Sequence, residues 1–331
     1  MHILVIGAAG MVGRKLTAAL VKSGRLAGKE ISAFTLADVV KPDERLVGFS
    51  GKVTSVAADL STVGTAEKLV AGRPDVIFHL AAIVSGEAEK DFDKGYRINM
   101  DGTRYLLEAI RQEGLKNGAY LPRLVFTSSI AVFGAPFPEA IGDEYFTTPL
   151  TSYGTQKAIC ELLLNDYSRK GFVDGVGIRL PTIAVRPGKP NAAASGFFSN
   201  ILREPLAGQE AVLPVSKDVR HWFASPRAAV GFLVHAAEMD SSKLGWRRTV
   251  SAPGLSATVG EEIEALRRVA GDKIVGLIKD VPDPTIIKIV DGWPRNFDTK
   301  RAQSLGFKAE SSMDEIIKIH IDDELGGKIG G

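Results

Sequence analysis

The chain has 331 residues, of which 45% are apolar and 24% charged, and a net charge of +2. That length buries a sizeable core in one large domain or in a domain with a second lobe, and the even charge balance argues against nucleic-acid and membrane partners. The single cysteine, Cys160, excludes an internal disulfide and a multi-cysteine metal site, and no apolar run is long enough to span a bilayer.

The first residues, MHILVIGAAG, lead straight into a strand pattern, so a cytoplasmic protein is expected. Strands are predicted at Ile3–Ile6, Ile31–Ala37, Val53–Ala58, Val76–Leu80, Leu124–Thr127 and Val176–Leu180. Several are apolar almost throughout, as strands covered on both faces must be. Helical spacing falls between them at Arg14–Lys22, Asp91–Gln112 and Gly154–Arg169. The alternation predicts an α/β fold of Rossmann type, a doubly wound parallel sheet with right-handed crossovers. After about Arg186 the chain changes character, through RPGKPNAAASG to a helix at Phe197–Leu206. A helix at Ala228–Met239 and a strand at Arg248–Ser251 read as returns to the sheet, and the rest is helical with short strands. The expected domains are therefore discontinuous. Residues 1–185 with returns at about 216–254 are expected to form the first, sheet-bearing domain, and residues 186–215 and 255–331 a smaller, mostly helical lobe.

In ILVIGAAGMVGRKL, Gly7, Gly10 and Gly13 lie between an apolar strand and a helix. Glycines there allow a pyrophosphate to approach the backbone, and the helix N-terminus offers free N–H groups to it. The spacing is Gly-x-x-Gly-x-x-Gly rather than the commoner Gly-x-Gly-x-x-Gly, so position after the first strand carries the signal. Asp38 ends the second strand, where a carboxylate accepts the adenosine ribose hydroxyls and repels a 2′-phosphate, favouring NAD over NADP. A turn role is the alternative for it. Asp59 and Leu60 follow the third strand at the adenine edge, and Ala81 and Ala82 follow the fourth, small enough to let a cofactor pass. His79 reads as a packed histidine.

LVFTSSIAVFG sets Ser128 and Ser129 at the C-terminal end of the fifth strand, the end where such sheets bind ligands. TSYGTQK then places Tyr153 and Lys157 four apart on one helix face. An ammonium and a positive nicotinamide ring near the phenol are expected to lower its pKa from about 10, so that Tyr153 takes a proton from a substrate hydroxyl as hydride leaves the carbon. Ser129 would hold the same oxygen, and Lys157 would reach the nicotinamide ribose. No metal is needed. An exposed surface pair is the alternative for Tyr153 and Lys157.

IGAAGMVG, ADL, VIFHLAA, INMDGTRYLLEA, VFTSSIAVFG and YGTQK together resemble the motif series of the extended short-chain dehydrogenase/reductases, over nearly the whole chain. FDTKRAQSLGF is similar to that family's terminal segment. The resemblance implies Ser129, Tyr153 and Lys157 as the catalytic set, with Asn99 a structural or water-relay residue. It extends the cofactor contacts to Met11, Val12, Leu80, Thr127, Pro181 and Ile183, and implies a homodimer built on a four-helix bundle. The family spans dehydrogenases, nucleotide-sugar epimerases and dehydratases, so fold alone leaves the reaction open. IRLPTIAVRPGKPNAAASGFF, with Thr182 and Arg186 in place of the usual residues, and VRHWFASPR resemble the branch that oxidises a four-carbon sugar acid at C2. A short hydroxy acid needs a carboxylate partner, and arginine binds one through two parallel hydrogen bonds. Arg186 and Arg220 are the candidates, with Asn191, His221 and Trp222 expected to touch hydroxyls or close the pocket. Ser225 and Pro226 read as the N-cap and first turn of the next helix. The alternatives are a uronate dehydrogenase, a nucleotide-sugar epimerase or dehydratase, and an NAD-sensing regulator without chemistry.

Overall fold

The computed structural model describes residues 1–188 and 195–330. Two units emerge. Unit 1 holds Met1–Val132, Thr151–Arg179 and Val230–Val250; unit 2 holds Phe133–Leu150, Leu180–Ala229 and Ser251–Gly331.

Unit 1 is built on a seven-stranded sheet in the spatial order Thr249–Ser251, Asp174–Leu180, Arg123–Ser129, Val76–His79, His2–Ile6, Ala33–Asp38, Lys52–Ala57. His2–Ile6 pairs in parallel with both Val76–His79 and Ala33–Asp38, so the winding reverses on either side of it. Loops at that reversal diverge and leave a crevice at the C-terminal strand ends. The strands expected from their apolar runs are all present, and Val76–His79 is buried at every position. Leu4, Ile77, Leu106, Leu107, Phe126 and Leu164 fill the core of this unit.

Local chemistry sets the helix limits. Met11–Ser23 ends at Gly24, left-handed at φ 64°, whose N–H bonds the carbonyls of Leu20 and Val21. Ser152–Arg169 starts at Thr151, whose hydroxyl oxygen accepts the Gly154 N–H at 3.1 Å. The helix expected across Asp91–Gln112 is broken into Phe92–Gly95, a π-helical turn Tyr96–Asp101, and Gly102–Asn117. Within the π turn the Asn99 carbonyl accepts Thr103 Oγ1 at 2.8 Å and Cys160 Sγ at 3.3 Å. Side chains, not periodicity, stabilise that wider turn.

Unit 2 has its own core, in which Phe198, Ile201, Leu202, Phe223, Leu266 and Ile317 are buried. Its three-stranded sheet has Arg220–Ala224 in the middle, antiparallel to Leu255–Thr258 and parallel to Thr182–Ile183. Residues 216–229, expected among the returns to the first domain, group with this unit, as do 133–150. The reason is pairing: Arg220–Ala224 finds its neighbours here. Ser225 Oγ accepts the Ala228 N–H at 2.9 Å and Pro226 opens the helix Pro226–Glu238, so the Ser-Pro pair is a helix start.

Candidate active site

The glycine loop of unit 1 follows its first strand. Gly7 is left-handed at φ +93°, and a Cβ on it would lie 2.8 Å from the Ala81 nitrogen. A Cβ on Gly13 would lie 2.2 Å from the Gly7 carbonyl oxygen. Both positions are closed to any side chain, so the loop's backbone packs directly on the strand ends and on the helix start. The loop is tied down by Gly7 N–H and Ala8 N–H to the Ala37 carbonyl, at 2.8 and 3.2 Å. Gly10 is the N-cap of the helix, with no side-chain cap, and Met11 and Val12 open its first turn. These first N–H groups have no partner from a capping side chain and form a cradle suited to phosphate. This observation is what fits the chain to NAD.

Asp38 sits at the end of its strand with its carboxylate accepting the Ala9 N–H at 2.9 Å. That bond points the acid toward the glycine loop. Asp59 accepts Ser61 N–H and Oγ–H at 2.9 and 2.6 Å and lies 3.3 Å from Arg97. Burial pushes its pKa up, but these bonds outweigh it and hold the acid below its ordinary range. Leu60 is buried. Asn99 accepts the Ile83 N–H at 2.9 Å and donates to the Ile83 carbonyl and to Gln156 Oε1, at 3.2 and 2.8 Å. It thereby holds the chain just beyond Leu80, Ala81 and Ala82. His79 is packed, as read from the sequence, with Nε2 2.9 Å from Thr103 Oγ1.

Ser129 ends the strand Arg123–Ser129, and Tyr153 and Lys157 lie on the first turns of Ser152–Arg169. Lys157 is 2% exposed, donates to the Thr127 carbonyl at 2.8 Å, and lies 4.8 Å from the Phe126 ring centre and 5.8 Å from that of Tyr153. A solvated surface pair is thereby excluded. Without the nicotinamide charge on which the expected lowering depends, lost hydration pushes Tyr153 up to about 12, and the Ser129 hydrogen bond only partly opposes it. Burial also lowers Lys157 to about 8, against the pull of Cys160 and Glu161. The cation is thus weakened by the same burial that brings it to the phenol.

The sequence reading missed what stands behind this set. Glu161 is buried, accepts Ser128 Oγ–H at 2.5 Å, and takes a forked bond from Arg179 at 2.7 to 3.2 Å. Its signals were a position four after Lys157 on one helix face and a lone arginine among the apolar residues of the strand DGVGIRL.

In unit 2, Pro181 and Ile183 flank Thr182 in the short strand Thr182–Ile183. Arg186 is half-buried, with Nη2 3.3 Å from Ser195 Oγ and its backbone N–H 3.1 Å from Ser199 Oγ. It has no carboxylate partner among the described residues, and burial followed by the neighbouring Arg203 charge lowers its pKa. Arg220 is tied to the Ser256 carbonyl at 3.1 Å and to Glu261 at 3.3 Å. It lines a cavity of about 520 Å³ with Arg295, Asn296, Asp291 and Glu139; Arg295 was not anticipated. The roles expected of His221 and Trp222 are corrected, because both fill the core. His221 is 3% exposed, stacked on Phe198 at 5.0 Å, and 2.6 Å from Thr182 Oγ1. Burial pushes its pKa down to about 4, against the effect of a bond with the Pro294 backbone. Trp222 is buried, with Nε1 on the Ala252 carbonyl at 3.3 Å. Asn191 lies outside the described residues.

Residues 3–243 match the profile of the NAD dependent epimerase/dehydratase family. Over 328 residues, 98% of each chain, the protein is 45% identical to the D-erythronate dehydrogenase of Cupriavidus necator. It is 42% identical to that of Haemophilus influenzae, over 98% of this chain and all of the other. A solved structure described as the nucleoside-diphosphate-sugar epimerase from Agrobacterium tumefaciens is 70% identical, with a TM-score of 0.97, over 99% of this chain and 95% of that one. With its glycine cradle, strand-end serine and Tyr-Lys helix start in place, the chain belongs to the NAD dependent epimerase/dehydratase family.

Proposed function

We propose that this chain is an NAD-dependent dehydrogenase that oxidises D-erythronate at C2 to the 2-oxo acid. The name of the substrate rests on the full-length likeness to two proteins called D-erythronate dehydrogenase. The observation that supports a sugar acid on the geometry is Arg186, a half-buried cation with no acid beside it among the described residues. Desolvating a guanidinium without a partner is unfavourable, and a ligand carboxylate relieves it.

The glycine loop Gly7, Gly10, Met11, Val12 and Gly13 would hold the pyrophosphate of NAD, and Asp38 the adenosine ribose. Asp59 and Leu60 would border the adenine, and Leu80, Ala81, Ala82, Thr127, Pro181 and Ile183 the rest of the dinucleotide. When bound, NAD supplies the hydride acceptor. Tyr153 takes the proton of the C2 hydroxyl, leaving its electron pair to form the carbonyl as hydride departs from C2. Ser129 holds the hydroxyl oxygen. Lys157 stabilises the phenolate; its position on the Thr127 carbonyl fixes it near the ring. With the phenol at about 12 and the ammonium at about 8, the burial must be offset by positive charge arriving with the cofactor. Asn99 and Gln156 keep the adjoining strand end in place.

A second reading, a nucleotide-sugar epimerase, is favoured by the cavity that Arg220 and Arg295 share and by the description of the Agrobacterium tumefaciens structure. An epimerase returns the hydride and releases no NADH. Following NADH absorbance with D-erythronate, a uronate and UDP-sugars separates the two. Net NADH from D-erythronate is expected, and its absence alongside conversion of a UDP-sugar would reverse the assignment.

The proposal includes a cytoplasmic homodimer pairing the helices Gly102–Asn117 and Ser152–Arg169. The apolar Leu115 and Leu162, 64% and 69% exposed, support that pairing. Sedimentation of a Leu162→Glu variant as a monomer is the expected outcome.

A further inference from the structure

Beside Arg186 in unit 2 stands a second arginine whose charge is already spent. Arg203 Nη1 donates to the Arg186 carbonyl at 2.8 Å, and its Nη2 donates to Asn200 Oδ1 at 2.8 Å and to the Glu204 carboxylate. Both partners of that ion pair are buried for most of their surface, with side-chain exposures of 12% and 15%. The second Glu204 oxygen, Oε2, is buried and has no hydrogen-bond partner among the described residues. Arg203 still acts on Arg186 as a like charge. Arg186, Arg203 and Glu204 therefore carry one net positive charge, and the unpaired part of it is on Arg186.

We propose that Glu204 sets the charge of the anion this enzyme accepts: by neutralising Arg203 it leaves a single free cation, so a monocarboxylate is taken and a dianion of the same length is refused. The inference rests on Arg186 as the carboxylate partner of the sugar acid. A first carboxylate gains a guanidinium fork in a region of low dielectric. A second carboxylate loses its water and finds no second free cation, because Arg203 is already paired with Glu204. Discrimination arises from what the site withholds from the wrong ligand as much as from what it offers the right one. The substrate class is thus hydroxy acids with one carboxylate and no phosphate.

The test compares D-erythronate with meso-tartrate, the same four-carbon chain with a second carboxylate at C4. The wild type is expected to prefer D-erythronate by roughly 100-fold or more in kcat/KM. Glu204→Gln frees the Arg203 charge and should reduce that preference by roughly tenfold, about the effect of one unit charge across a pocket at an effective dielectric of about 20. Glu204→Asp should restore it. The double variant Arg203→Met/Glu204→Gln removes both charges together and should also keep it, which a purely structural role for Glu204 does not predict. An unchanged preference in folded Glu204→Gln, or its loss in the double variant, overturns the inference. Should Glu204→Gln fail to fold, Glu204→Met is read in its place, with the same expected loss of preference and the same overturning result.

Failure of the functional reading is seen separately. If the wild type makes no NADH from D-erythronate, thermal shifts with D-erythronate and with meso-tartrate report the charge preference directly. Stronger stabilisation by the monoanion in the wild type, equalised in Glu204→Gln, supports the inference. Equal stabilisation by both ligands in the wild type refutes it.

Discussion

Glu161 in unit 1 and Glu262 in unit 2 are buried alike, at 7% and 0% exposure, yet their surroundings differ completely. Glu161 meets Ser128 and both arms of Arg179. Neither oxygen of Glu262 has a hydrogen-bond partner among the described residues, and burial holds its pKa well above the usual carboxylate range. The arginines repeat the contrast: Arg179 forks onto Glu161, whereas Arg186 has no acid among the described residues. Unit 1 closes its charges behind the Tyr153 and Lys157 helix, where geometry must hold without a ligand's help. In unit 2, Glu262 and Arg186 are left without an ion-pair partner among the described residues.

The largest expected effect lies on the chemistry of unit 1. Tyr153→Phe should lower kcat by roughly 10²- to 10⁴-fold, the usual contribution of a positioned proton-transfer group, while fluorescence titration shows NAD affinity unchanged. Loss of NAD binding instead would make Tyr153 a cofactor residue.

Next comes the direct test of paired against unpaired charge. Glu161→Gln leaves the Arg179 guanidinium buried without its carboxylate and should cost about 3–5 kcal/mol in urea unfolding. Arg186→Met removes an unpaired cation and should change stability by less than about 1 kcal/mol. It should nevertheless raise KM for D-erythronate about tenfold or more, since charged hydrogen bonds are worth about 1.5–3 kcal/mol. Equal losses of stability in the two variants would erase the comparison.

The buried histidine of unit 2 gives a pH window. His221 stays neutral in the fold down to about 4, whereas in the unfolded chain it takes a proton below 6.5. The unfolded state then binds more protons, so stability is fully present above 6.5 and is lost as pH falls toward 4. The loss approaches about 3 kcal/mol, at 1.36 kcal/mol per pKa unit. His221→Gln should flatten this acid limb in urea midpoints taken between pH 4 and 7. His79 in unit 1, held at about 3 by burial and by Lys157, contributes a parallel limb that remains in the variant.

Glu262 has the opposite sign and the smallest effect. Its pKa is raised in the fold, so folding takes up a proton and stability falls as pH rises above the ordinary carboxylate range of about 4.5. Glu262→Gln should stabilise by about 1 kcal/mol at pH 8 and remove that fall. A destabilised variant would show that the acid has work in the core which its geometry does not reveal.

Much of unit 1 was legible residue by residue. The glycine spacing after an apolar strand, the acid ending the second strand and the four-residue interval from Tyr153 to Lys157 are local, and they lie where local periodicity put them. The π turn at Tyr96–Asp101 was not legible, because the groups that stabilise it come from Thr103 and from Cys160 on another helix. In VRHWFASPR the helix start was readable from Ser225 and Pro226. The burial of His221 and Trp222 was not, because Phe198, Trp293 and Phe297 reach them from distant segments.

The sequence by itself determined the order of strands and helices, the place of the glycine loop after the first strand and the spacing of Ser129, Tyr153 and Lys157, since periods of two and 3.6 residues and short spacings are properties of neighbouring residues. Only the tertiary structure decided which charges are paired. Glu161 and Glu262, or Arg179 and Arg186, look alike in one dimension. Their hydration and their partners depend on chain brought in from 18 residues away or more, as the Arg179–Glu161 fork shows, and that is what sets the charge each can offer a ligand.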